Sequence, residues 1–123
     1  VIILDHTAVV ALCRGHRLLS GLAVVEVDDP LQRAHVPALC LFAASMELPG
    51  AAAHTGALPG LEFVPLDFAG AAAVEQTTVA GVDWRHAHAV YASAAGQGEG
   101  QVLTATPEAY DGTGVWAVDI GKP

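Results

Sequence analysis

The chain is poor in positive charge. Arg14, Arg17, Arg33, Arg85 and Lys122 are its five bases, set against 13 acids, and the net charge is −8. Phosphate backbones repel such a surface, which disfavours indiscriminate nucleic-acid binding. A ribonuclease of this charge would need a local basic patch, and Arg14, Arg17 and Arg33 are the candidates for one. Long apolar runs are missing too. Hydrophobic residues make up 53% of the chain, yet no run reaches the ~18–20 residues that span a bilayer. No membrane association is expected. There is no basic segment followed by a small-residue cleavage site, and the chain opens on Val1 without an initiator Met. The natural N-terminus is therefore expected upstream. Cysteine is scarce. Cys13 and Cys40 both fall in apolar helical patterns and read as buried thiols rather than a disulfide. No Cys-x-x-Cys or Cys/His spacing points to structural zinc. A reducing cytoplasm is the expected compartment.

What is present is an alternation of short apolar strands and helical patterns. The 123 residues suit one domain spanning 1–123, large enough to bury roughly two-thirds of the unfolded surface. Val1 to Leu4 read as a buried strand, short and β-branched. Thr7 to Arg14 read as a helix that Gly15 ends, and Arg17 to Val27 as a second. Asp28-Asp29-Pro30 breaks the pattern. A short strand is expected at Arg33 to Val36. Pro37 then opens a helix over Ala38 to Leu48, stopped by Pro49-Gly50. A short helix near Ala51 to Thr55 follows. Glu62 to Leu66 read as a strand, and Asp67 caps a helix over Phe68 to Thr78. Trp84 to Ala95 form a further helix, Gly96 to Gly100 a loop, Gln101 to Leu103 a strand ending at Thr104, and Val115 to Ile120 a last strand. Strands alternating with helices imply βαβ units and a mainly parallel sheet.

Asp5 is the most informative single residue. A carboxylate ending the first parallel strand points into the crevice where open α/β sheets bind ligands. The turn Asp5-His6-Thr7-Ala8 resembles the start of a PIN domain, the fold of VapC-type toxin ribonucleases. Further marks are Val36-Pro37-Ala38-Leu39, Val64-Pro65-Leu66-Asp67, His88-Ala89-Val90 and Val102-Leu103-Thr104-Ala105, in that order along the chain. The resemblance implies an α/β three-layer PIN-like domain. Its mainly parallel five-stranded sheet would run in order 3-2-1-4-5, with helices on both faces. It also implies four acids converging on Mg²⁺ or Mn²⁺ to hydrolyse RNA.

Only the first acid is plainly present, as Asp5. The second falls on Ala43, with Glu47 one turn further along the same face. The third falls on His88, and the fourth on Thr106 in Thr104-Ala105-Thr106. Glu108 and Asp111 lie just beyond. Asp5, Glu47 and His88 are thus the catalytic candidates, with Asp5 and Glu47 as metal ligands. Thr7, Thr104 and Thr106 are candidates to hold substrate or water. Asp5, His88 and Thr104 are expected around one crevice between the first and fourth strands, with Thr106 at its rim. Imidazole and neutral oxygen hold a hard cation poorly. The leading expectation is therefore a weakly active or non-catalytic PIN-like domain. It would be a toxin–antitoxin relic, homodimeric and acting through partners such as a cognate antitoxin. The alternative is an active ribonuclease using Mg²⁺ or Mn²⁺. A more distant reading is a receiver-like signalling domain. Asp67, Thr104 and Lys122 resemble its phosphoacceptor Asp, Thr and Lys, and its strand order would be 2-1-3-4-5.

Overall fold

The computed structural model describes residues 1–95 and 100–121. The strands are β1 (Ile2–Leu4), β2 (Ala34–Pro37), β3 (Leu61–Val64), β4 (Gln101–Thr104) and β5 (Trp116–Asp119). All neighbouring pairs are parallel, and the order is β3-β2-β1-β4-β5. This is the order the PIN resemblance implies. The receiver-like reading fails on it, because β3 lies beside β2 and not between β1 and β4. Lys122 and most of the Gly96 to Gly100 loop lie outside the described residues.

Among the described residues six α-helices join the strands: α1 (His6–Cys13), α2 (Arg17–Val24), α3 (Ala38–Glu47), α4 (Ala51–Gly56), α5 (Phe68–Val79) and α6 (Trp84–Ala95). Alternation along each strand divides the core in two. Leu4, Ala34, Val36 and Leu103 face α1, α2 and α4 through Val9, Leu12, Leu19 and Ala51. Ile3 and Val102 face the other way, toward Ala89 of α6. The inner strands are buried on both faces, which explains why they read as unbroken apolar runs. Helix α3 touches both cores, through Ala44 on one side and Cys40 on the other. Cys40 is buried and Cys13 half-buried, and both are free thiols.

The differences from the sequence reading are at element ends. Helix α2 stops at Val24, three residues short of Val27, where Val25 is already extended. Val24 and Val25 are exposed there, so no apolar contact rewards another turn. Strand β3 begins at Leu61 and ends at Val64, before Pro65, which has no N–H for the ladder. Pro37 is the last residue of β2 and the N-cap of α3 rather than its first turn.

Candidate functional site

The chain order doubles back at β1. Strands β2 and β3 lie on one side of it and β4 and β5 on the other, so the carboxyl ends of β1 and β4 flank the switch point. Asp5 and Thr104 sit at those two ends. Asp5 is extended and caps α1, its Oδ1 accepting the Ala8 N–H at 3.0 Å. The same oxygen accepts the Thr7 hydroxyl at 2.6 Å. Thr7 in turn accepts the Ala105 N–H at 2.9 Å, and its Oγ1 stands 3.2 Å from that of Thr104. Thr104 accepts the Thr106 N–H at 3.0 Å. Asp5, Thr7, Thr104 and Thr106 therefore form one hydroxyl-rich corner, as the sequence implies.

The other half of the site was not legible in the same way. A 3₁₀ turn at Pro107–Tyr110 carries Tyr110 back under the sheet edge. Its hydroxyl donates to Asp5 Oδ2 at 2.7 Å and lies 3.0 Å from His86 Nδ1. His86 Nδ1 is 3.4 Å from Asp5 Oδ2. The His6 and His86 rings meet edge-on, with centroids 4.7 Å apart. Asp5, His6, His86 and Tyr110 are all buried. Among the described residues, one group of potential ligands has its donor atoms within 4.8 Å of one another: Asp5, His6 and His86.

The histidine register differs from the one the Ala-spaced helix suggests. His86 stands beside Asp5, not His88. Two helical positions are ~200° apart, so the two rings point to different neighbours. His88 Nδ1 accepts the Leu39 N–H at 3.2 Å at the start of α3, and its ring stacks on Tyr91. Glu47 is exposed and outside the Asp5 cluster. It lines a groove of about 550 Å³ with Ala43, Met46, Asp83 and Arg85. Ala43 is buried, and Glu108 and Asp111 are exposed. The candidate bases do not serve this site: Arg14 caps the end of α1 away from Asp5, and Arg17 opens α2 just beyond it. Arg33 precedes β2, at the opposite edge of the sheet, and is paired with Glu62 at 2.8 Å.

Burial alone would raise the Asp5 pKa. The surrounding donors outweigh it: His86, and the hydroxyls of Thr104, Thr7 and Tyr110, hold it below the usual carboxylate range. Asp5 is thus a buried anion whose charge is balanced by hydrogen bonds. His6 and His88 shift down because burial disfavours their charged forms. Tyr110 shifts up, through burial and the adjacent Asp5 charge, so its phenol keeps its proton.

These residues do not fit Mg²⁺. That ion needs near-octahedral oxygen coordination and keeps several waters. Here the carboxylate already accepts from three protein donors, and its nearest neighbours are imidazoles and hydroxyls. Comparison of the chain with protein-family models, curated proteins and solved structures finds no match.

Proposed function

We propose that this is a PIN-like domain whose nuclease site has lost its hard-cation chemistry and which acts by binding partners. One observation carries the reading. The Asp5 carboxylate, which should share a catalytic cation with further acids, is 0% exposed and clustered instead with the His6 and His86 imidazoles. A scissile phosphate needs a metal with open coordination positions and several carboxylates around it. The Asp5 corner offers neither. The electrostatic balance agrees, since a net charge of −8 opposes RNA and the Arg33 cation is tied to Glu62.

A partner-binding role is supported by the surface. Phe42 and Met46, 55% and 69% exposed, stand one turn apart on α3, with the Trp84 ring 6.3 Å from that of Phe42. Side chains of this size and exposure suit an interface. A two-fold homodimer, or a complex with a small antitoxin-type protein, is the proposed assembly, in a cytoplasmic setting. No helix among the described residues is long and apolar enough to cross a membrane.

The test is a ribonuclease assay on purified protein with Mg²⁺ and with Mn²⁺, paired with light scattering. The expected result is no cleavage above a metal-free control and a dimer mass at micromolar concentration. Robust Mg²⁺-dependent cleavage that disappears in Asp5→Asn would establish the alternative, a working metal-dependent ribonuclease.

A further inference from the structure

We infer that Asp5, His6 and His86 form a site for one divalent ion of the Zn²⁺ class. This deepens the reading above: the position has exchanged a hard-cation site for a nitrogen-rich one.

The donor set is the first ground. One carboxylate and two imidazoles are the ligand types of zinc and related borderline ions, which accept nitrogen readily. No cysteine takes part, so the spacing rules that exclude a zinc finger do not bear on this site. The second ground is independent. His6 is 5% exposed, and its Nδ1 is buried with no hydrogen-bond partner. An orphaned buried nitrogen is costly unless something satisfies it. It belongs to a ring packed against His86, at the Asp5 end of α1.

The geometry is close to what an ion needs. Tetrahedral donors on bonds of about 2.0–2.1 Å stand about 3.3 Å apart. Asp5 Oδ2 and His86 Nδ1 are already 3.4 Å apart. One ring nitrogen of His6 completes the set within 4.8 Å, so a modest ring movement closes it. Asp5 is held in place from behind by Thr7 and Ala8 on Oδ1, which leaves Oδ2 for the ion. The Tyr110 hydroxyl now bridges Oδ2 and Nδ1, and the ion would displace it. As a phenol that keeps its proton, Tyr110 is a competitor and not a ligand. The Glu47 charge acts on His6 and favours a cation there. All three ligands are at most 7% exposed. An ion there would therefore brace the fold rather than meet a substrate.

The experiment uses the full chain stripped of metal. Zn²⁺, Co²⁺ and Mg²⁺ are titrated separately by calorimetry, with thermal melting of each mixture. One equivalent of Zn²⁺ should bind and raise the melting temperature, and Mg²⁺ at the same concentration should do neither. Co²⁺ should give the intense visible bands of a four-coordinate site, with Asp5, His6 and His86 as ligands and water in the fourth position. His6→Gln and His86→Gln should abolish binding, while exposed His54→Gln should retain it. Tyr110→Phe should bind as tightly as the wild type or more tightly. The inference is overturned by absence of Zn²⁺ binding, by binding that survives in both histidine variants, or by its loss in Tyr110→Phe. Should the histidine variants not fold, the wild-type Co²⁺ spectrum decides, and a weak octahedral spectrum counts against the site. The same stripped protein is assayed for Mg²⁺-dependent RNA cleavage. Cleavage refutes the proposed function, whereas failure to bind Zn²⁺ without cleavage refutes only this site.

Discussion

The Tyr110 hydroxyl donates to Asp5 Oδ2 across 2.7 Å, tying the turn after β4 to the end of β1. The acceptor is a fully buried anion. A hydrogen bond to a charged group contributes about 1.5–3 kcal/mol. Tyr110→Phe should therefore cost about 1.5–3 kcal/mol in urea unfolding, with the far-ultraviolet spectrum unchanged. A cost within error of zero would mean that water replaces the hydroxyl and that Tyr110 is dispensable to the anion.

Acid stability follows from the same carboxylate. Its folded pKa lies below the ordinary 3.8. The stabilisation is fully present above pH 3.8 and is lost as pH falls through the lower folded value. Asp5→Asn has no charge to lose, so its unfolding free energy should fall less than the wild type's below pH 4. Parallel acid limbs in the two proteins would remove Asp5 as the source.

The buried histidines act in a milder range. His6 and His88 both have folded pKa values below the usual 6.5, from burial. The unfolded chain then takes up protons before the folded one does. Their contribution is complete above pH 6.5 and declines as pH drops toward their folded values. The melting temperature should fall between pH 7.5 and 5. His88→Gln should flatten part of that slope, and an unaltered slope would assign it elsewhere.

Gly60 is fixed by a close approach. Its N–H donates to the Ala23 carbonyl at 2.8 Å. A Cβ there would run into the Leu22 carbonyl oxygen, with Ala23 backbone atoms at 2.8 Å. Gly60→Ala should cost about 3–5 kcal/mol or prevent folding. Gly21, inside α2, has nothing within 4 Å of the same added atom. Gly21→Ala should stabilise by about 0.5–1 kcal/mol. Equal effects in chemical denaturation would contradict the packing of β3 onto the end of α2.

The sheet was readable because parallel strands buried on both sides leave little choice of residue. Val1 to Leu4 and Gln101 to Thr104 carry that signature, and Asp67 announces α5 by capping Gly70 at 2.7 Å. The acid-bearing half of the site was readable for a related reason: Asp5, Thr7 and Thr104 end strands or open helices, where direction is fixed. The histidines were not. His86 and His88 are both buried, on a helix packed from more than one side, so neither polarity nor period selects the ring that meets Asp5. Tyr110 carries no such signature, because its position depends on the turn at Pro107. Its one signal was a lone aromatic in a polar loop. His6 follows Asp5 directly, and only the rotation of α1's first turn sends its ring inward.

The pairing of β1 has a consequence for synthesis. Ile2 bonds beside Ala34 on one flank and beside Gln101 on the other. A ribosome making this chain delivers β4 about a hundred residues after β1, several seconds at ~5–20 residues per second. Once β2 has emerged, the central strand keeps one open flank until β4 follows; His86 is made before β4 and Tyr110 only after it. The nascent chain carries a bare strand edge until β4 emerges, with water hydrating Asp5 in place of its protein donors. Stalling before β4 should yield a species that aggregates through the strand that ends up at the centre of the sheet.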